Sequence, residues 1–200
     1  MKTLYSLLLA LLFPALAFSQ GAGYKIGQVV QDFTLSATDG KAHTLSDHAG
    51  SKAVVVVFVN RLCPNDRIYA QRLQKIATAY AAKGVQFLYI HPTLSMENGG
   101  ADAKAMAREV PAAGSPPQVL LDPQHQVTTQ FGATKVPEVF VLQPATGGFQ
   151  LRYKGAIDDN PQLESGVREA YLRQALDAVL ANQAVAVPEK RPFGCMIKRL

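Results

Sequence analysis

Residues 53–59 read AVVVVFV, seven consecutive apolar residues of which five are valine. Branching at Cβ suits a pleated, extended backbone better than a helix. A run that is apolar at both parities leaves no face for solvent, so it predicts a central strand covered on both sides. Such a strand requires layers, with helices above and below a sheet. The residues that follow reinforce this. Asn60-Arg61-Leu62-Cys63-Pro64 turns the chain, and Tyr69, Leu73, Ile76 and Tyr80 then recur at steps of four, three and four, predicting a helix that stops at Gly84.

Further elements fall in place around this βα unit. Val29 to Leu35 reads as a strand with Val30, Phe33 and Leu35 inward, and Asp39-Gly40 as a hairpin turn into Ala42 to Leu45. Val85 to Ile90 is a second buried strand, followed by a short helix from Ala101 to Arg108 and a brief strand from Val119 to Leu121. His125 to Phe131 predicts one or two helical turns ending at Gly132, and Val139 to Leu142 and Leu151 to Tyr153 are strands joined around Pro144 to Gly148. Val167, Leu172, Leu176, Val179 and Leu180 line a last amphipathic helix. The expected fold is α/β: a central mixed sheet flanked by helices, with an N-terminal β-hairpin extension.

Charge and cysteine content narrow the function classes. Met1-Lys2 precedes an apolar stretch from Leu4 to Ala17, and Ala17-Phe18-Ser19 places small residues where a signal peptidase reads, so residues 1–19 are expected to be a signal peptide cleaved before Gln20. The stretch is short for a membrane span, so no stable membrane insertion is expected after cleavage, and the mature protein is expected to be secreted or periplasmic. Without Lys2 there are 19 basic and 15 acidic residues. The tail 188–200 carries Lys190, Arg191, Lys198 and Arg199 against Glu189, which leaves a body (20–187) near neutrality. A neutral body argues against nucleic acid as a partner. Cys63 and Cys195 are the two cysteines, too few for a four-thiolate zinc site or an iron–sulfur cluster. One disulfide, one dithiol or two unrelated side chains all remain open to them at this point.

Cys63 stands where a reactive thiol would be built. It opens a helix directly after the central strand, with Pro64 at a first-turn position that suits proline. Unpaired N–H groups and the positive end of the dipole favour the thiolate there, and Arg61 and Arg67 could add to that. Pro137, in Val136-Pro137-Glu138-Val139-Phe140, sits just ahead of a strand, and a cis bond there would put a backbone edge beside the sulfur.

Taken together, AVVVVFVNRLCPNDRIYAQRL, TKVPEVFVL, YKGAIDDN and FGCMIKR resemble the thioredoxin superfamily, in its redoxin or peroxiredoxin-like (AhpC/TSA-like) branch. The last two segments resemble a subgroup with a Gly-Cys-x-Ile-Lys ending. The resemblance runs from about Gly27 to Arg199 and implies a thioredoxin-like fold, with Cys63 matching the first cysteine of thioredoxin's Cys-x-x-Cys and Pro137 its cis-proline. It departs from the family at Asp66, which stands where thioredoxin has its second cysteine and where true peroxiredoxins have the peroxidatic one. A local dithiol is thereby excluded and a conventional peroxidase disfavoured.

The second sulfur is then expected from Cys195. A tail of about 14 residues, extended, spans roughly 45 Å, enough to bring Cys195 beside Cys63 for a disulfide. On this reading the protein is a thiol–disulfide oxidoreductase with Cys63 attacking, Cys195 resolving and Pro137 shaping the groove for protein thiols or disulfides or small-molecule thiols. No cofactor is required. The alternatives are a redox-inactive binding module and a copper-binding or copper-delivering protein that uses Cys63, His91 and Cys195, with Met96 and Met196 nearby as soft ligands suited to Cu(I). Asp158-Asp159-Asn160 is either a cation or acid–base group or a turn and N-cap for the last helix.

Overall fold

The computed structural model describes residues 23–92 and 119–198. The expected leader and the Ala101 to Arg108 helix, together with Met96, lie outside the described residues. Among the described residues no helix is long and apolar enough to cross a membrane.

In chain order the strands are β1 (Val29–Val30), β2 (Thr34–Ala37), β3 (Ala42–Thr44), β4 (Ala53–Phe58), β5 (Val85–His91), β6 (Val119–Leu121), β7 (Lys135–Val136), β8 (Glu138–Ala145), β9 (Gly148–Gly155), β10 (Glu189–Lys190) and β11 (Cys195–Met196). The helices are α1 (Pro64–Ala81), α2 (Gln126–Phe131) and α3 (Tyr171–Leu180). The main sheet runs β1-β9-β8-β4-β5-β6-β2-β3, with β10 added alongside β9. β4 sits inside it as expected, parallel to β5 and antiparallel to β8. The β4-α1-β5 crossover followed by the β8-β9 hairpin and α3 is the thioredoxin-like arrangement.

Alternation along β4 divides the core. Val55, Val57 and Val59 face one layer, where Tyr69, Leu73, Ile76 and Tyr80 of α1 and Leu172, Leu176 and Val179 of α3 cover the sheet. Val54, Val56 and Phe58 face the other, which is closed by Phe33, Leu45, Val127, Phe131 and Ile197. Phe131 is the hub of that second layer, with the rings of Tyr24, Phe33, Phe58 and Phe140 at 5.2–5.9 Å and mostly edge-on. Both parities of the valine run are buried because each parity serves a different core.

Three local expectations change. Val29 to Leu35 is two strands: β1 pairs with β9 at one side of the sheet, and β2 pairs with β3 and β6 at the other. Period-two alternation tells which face a residue covers and says nothing about which strand it joins. The last helix begins at Tyr171, and Val167 instead ends a short 3-10 turn at Glu164–Gly166. Finally, Asp158-Asp159-Asn160 does not cap that helix, whose N-cap is Ala170. Asp159 accepts the N–H groups of Arg168 and Glu169, and Asn160 those of Gln162 and Leu163, so the pair organises the loop ahead of it.

The basic tail is woven into the body. β10 lies parallel to β9, with Ala156 N–H donating to the Lys190 carbonyl at 3.1 Å. Gly155 makes this approach feasible: its φ is +123°, and a Cβ there would collide with the Lys190 carbonyl. Past β10, Ile197 plugs into the Phe131 layer and its N–H donates to the Thr134 carbonyl at 2.9 Å. Cys195 is thus held from both sides.

Candidate active site

Cys63 is carried by the turn between β4 and α1. Asn60 shapes that turn: its side-chain oxygen accepts from Leu62 N–H at 2.9 Å, and its carbonyl from Cys63 N–H at 2.8 Å. Cys63 then has extended backbone angles as the N-cap of α1, with Pro64 in the first turn. This is the helix-start position expected from the sequence, facing the dipole's positive end. Cys63 is nevertheless only 4% exposed, although it opens a helix. The C-terminal strand covers it.

That strand also brings the second sulfur. Cys63 and Cys195 form a disulfide across 132 residues of sequence, with Cα atoms 6.0 Å apart. β11 pairs antiparallel with β7, placing Cys195 opposite Val136 and Met196 opposite Lys135. The Val136-Pro137 bond is cis. The Cys63 Sγ lies 3.4 Å from the Val136 carbonyl oxygen, and Asn65 Nδ2 lies 3.9 Å from the Cys195 Sγ. Cys63, Cys195 and Pro137 therefore meet at one point.

The close pairing depends on Gly194. A Cβ at that position would collide with the Val136 carbonyl, which is backbone and cannot swing aside. Gly194→Ala is expected to push β11 off β7 and cost about 1–3 kcal/mol as overpacking. Denaturant midpoints measure the cost, and thiol titration in a fixed glutathione buffer is expected to show more reduced protein. An unchanged midpoint with an unchanged oxidised fraction would contradict the tight approach.

Two buried acids, close in sequence to Cys63 and to Pro137, were not assigned roles from the sequence. Glu138 follows Pro137 directly and is buried on β8. Its carboxylate accepts from Thr134 N–H, Thr134 hydroxyl and Lys135 N–H at 2.8–3.2 Å, bracing the loop that presents Val136. Burial raises its pKa, while these hydrogen bonds and Lys154 oppose the rise. A charged residue directly ahead of the apolar run Val139 to Leu142 was the available signal.

Asp66 is the other acid. It is fully buried in the first turn of α1, 3.8 Å from the Arg61 guanidinium, and neither carboxylate oxygen has a well-formed hydrogen bond among the described residues. Arg61 thus faces Asp66, and Arg67 is exposed. Burial pushes the Asp66 carboxyl up to about 6, against Arg61 and the Asn60 backbone. A carboxyl that binds its proton more tightly folded than unfolded loses stability as pH rises. The loss runs from about pH 4 to about pH 6 and amounts to roughly 3 kcal/mol. Asp66→Asn is expected to abolish that slope, so its stability relative to the parent improves by roughly 3 kcal/mol between pH 4 and pH 8. Thermal melts across that range measure it, and a pH-independent difference would disprove it.

His91 ends β5 opposite Leu121 of β6, buried, with its pKa pulled down to about 4 by burial, so it is neutral at pH 7. The copper set of Cys63, His91 and Cys195 is not assembled: among the described residues no three His, Cys, Asp or Glu side chains form a group that could hold a metal ion.

The family model of the AhpC/TSA family matches residues 26–152, a segment that includes Cys63 and Pro137 and stops short of Cys195. A hypothetical protein from Sinorhizobium meliloti is 28% identical, with a TM-score of 0.76 over 89% of this chain and 96% of that one. An uncharacterized conserved protein from Geobacillus kaustophilus is 25% identical, with a TM-score of 0.74 over 87% of this chain and 92% of that one. A Chlorobium tepidum protein provisionally assigned as thiol:disulfide interchange protein DsbE is 24% identical, with a TM-score of 0.60 over 78% of this chain and 98% of that one, and shares the fold. No curated protein matches the chain significantly.

Proposed function

The chain belongs to the AhpC/TSA family, and on that premise we propose that it is an exported thiol–disulfide oxidoreductase whose working couple is Cys63 and Cys195. The observation that carries this reading is the disulfide between them, made at the N-terminus of α1 and against the cis Val136-Pro137 edge. Residues 1–19 are the leader, 20–187 the thioredoxin-like domain, and 188–200 a tail with the subgroup's Gly-Cys-x-Ile-Lys ending, here Gly194 to Lys198. Export to a secreted or periplasmic setting keeps the disulfide from being reduced by cytosolic thiols.

The substrates are protein thiols and disulfides or small-molecule thiols. In one turnover the oxidised protein takes two electrons and two protons from a dithiol, leaving Cys63 and Cys195 as thiols and the substrate as a disulfide. Both anchors of the tail, β10 and Ile197, lie outside the disulfide itself, so the sulfurs remain neighbours when reduced and the bond can re-form. Pro137 and Glu138 keep the Val136 edge in place for the segment paired with it.

Equilibration of the full chain in glutathione buffers tests this reading. Exchange-active couples have reduction potentials between about −270 and −120 mV, and structural disulfides lie below about −300 mV. A potential in the first range is expected. A value below the second identifies a structural staple and overturns the proposal.

A further inference from the structure

The two sulfurs of the disulfide are unequal. Cys63 is 4% exposed and belongs to the apolar layer that contains Val136, Phe131 and Ile197. Cys195 is partly exposed and packs on the edge of that layer. Its neighbours in sequence point outward, with Phe193 49% and Met196 69% exposed, while Arg191 and Lys198 are exposed on either side. Leu62, beside Cys63, is 84% exposed, although Cys63 itself is not.

Thiolate attack on a disulfide needs an open path to one sulfur and a good leaving group at the other. Attack at Cys63 requires an incoming chain to enter the Phe131 layer or displace the tail. Attack at Cys195 requires neither. The electron pair then leaves on Cys63, at the N-cap of an 18-residue helix whose first-turn N–H groups and dipole favour an anion.

We infer that Cys195 is the sulfur that exchanges with the partner and Cys63 the inner sulfur that leaves, the reverse of the roles expected from the sequence. This rests on the redox reading above and deepens it. In the first step a partner thiolate bonds to the Cys195 Sγ, the Cys63–Cys195 bond breaks, and Cys63 becomes a thiolate. In the second, the partner's other thiolate attacks its own sulfur in the mixed disulfide, and Cys195 leaves and takes a proton. The partner departs as a disulfide, having lost two electrons. Arg191 and Lys198 draw the incoming thiolate toward Cys195, and Phe193, Met196 and Leu62 give a protein partner apolar surface to rest on. The partner's cysteine is therefore one presented on an apolar surface segment.

The test uses the oxidised full chain with excess glutathione, acid quenching at early times, and peptide mass mapping of the adduct. Glutathione is expected on Cys195 with Cys63 as free thiol, at about ten times the level of the opposite product, as the difference in access between the sulfurs requires. Early adduct on Cys63, alone or in comparable amount, overturns the assignment while leaving the redox couple intact. A protein that stays fully oxidised overturns the assignment and the redox reading together.

Discussion

Cys195→Ser is expected to lower the unfolding free energy by about 5 kcal/mol in the chain-entropy description of a cross-link this long. The disulfide closes a loop across 132 residues, so without it the unfolded chain regains most of its freedom. The folded state changes less, because β10 and Ile197 still hold the tail on either side of position 195. The loss therefore arises mainly in the unfolded ensemble. Cys63→Ser removes the same link and is expected to cost a similar amount, as is reduction of the parent protein. Urea unfolding of the two variants and of the parent with and without a dithiol measures all four states. If the reduced parent and both variants unfold at the midpoint of the oxidised parent, the cross-link contributes no stability. Either serine variant is also expected to lose dithiol-to-disulfide turnover altogether.

Asp158→Ala is expected to cost about 3–5 kcal/mol, the range for breaking a buried ion pair from one side. Asp158 accepts from Tyr69 hydroxyl at 2.8 Å and from Arg72 Nη1 at 2.6 Å, and both side chains of the ion pair are buried. Arg72 also donates to the Asn160 carbonyl at 2.8 Å and lies 4.7 Å from the Tyr69 ring centroid. Removing the carboxylate strips the buried Arg72 guanidinium of its directly paired anion between α1 and the loop after β9. The expected signature is asymmetry: the double variant Arg72→Met with Asp158→Leu costs less than Asp158→Ala alone, because no charge is stranded. Equal or larger loss in the double variant would mean the pair matters through its charge attraction. The segment YKGAIDDN thus has separate structural uses, with Gly155 admitting β10, Asp158 pinning α1, and Asp159 and Asn160 shaping the loop.

Much of the layout was legible from residues close in sequence. The AVVVVFV run identifies a central strand because backbone pleating forces its two parities into two cores. The Cys63-Pro64 start and the Tyr69-Leu73-Ile76-Tyr80 stripe locate α1 because cap and period are local properties of a helix. With Asp66 standing where a second nearby cysteine would be, Cys195 is the other sulfur in the sequence. The burial of Cys63 was not legible, since its cover arrives from 132 residues away. Nor was the division of β1 from β2, because alternation carries no information about the neighbouring strand. Glu138 and Gly194 gained meaning only once the loop at Val136 had a strand beside it.

The sequence by itself determined the elements, the two-sided core and the place of a cysteine at a helix start, since these follow from hydrogen-bonding geometry within a few residues. Tertiary structure alone decided that Cys63 is buried while Cys195 is partly exposed, and that Asp66 and Glu138 are buried. Those properties belong to the register of β11 on β7, where Cys195 meets Val136. That register is set by the fit of Ile197 into one core and of Gly194 against one carbonyl, contacts that exist only after the sheet has formed.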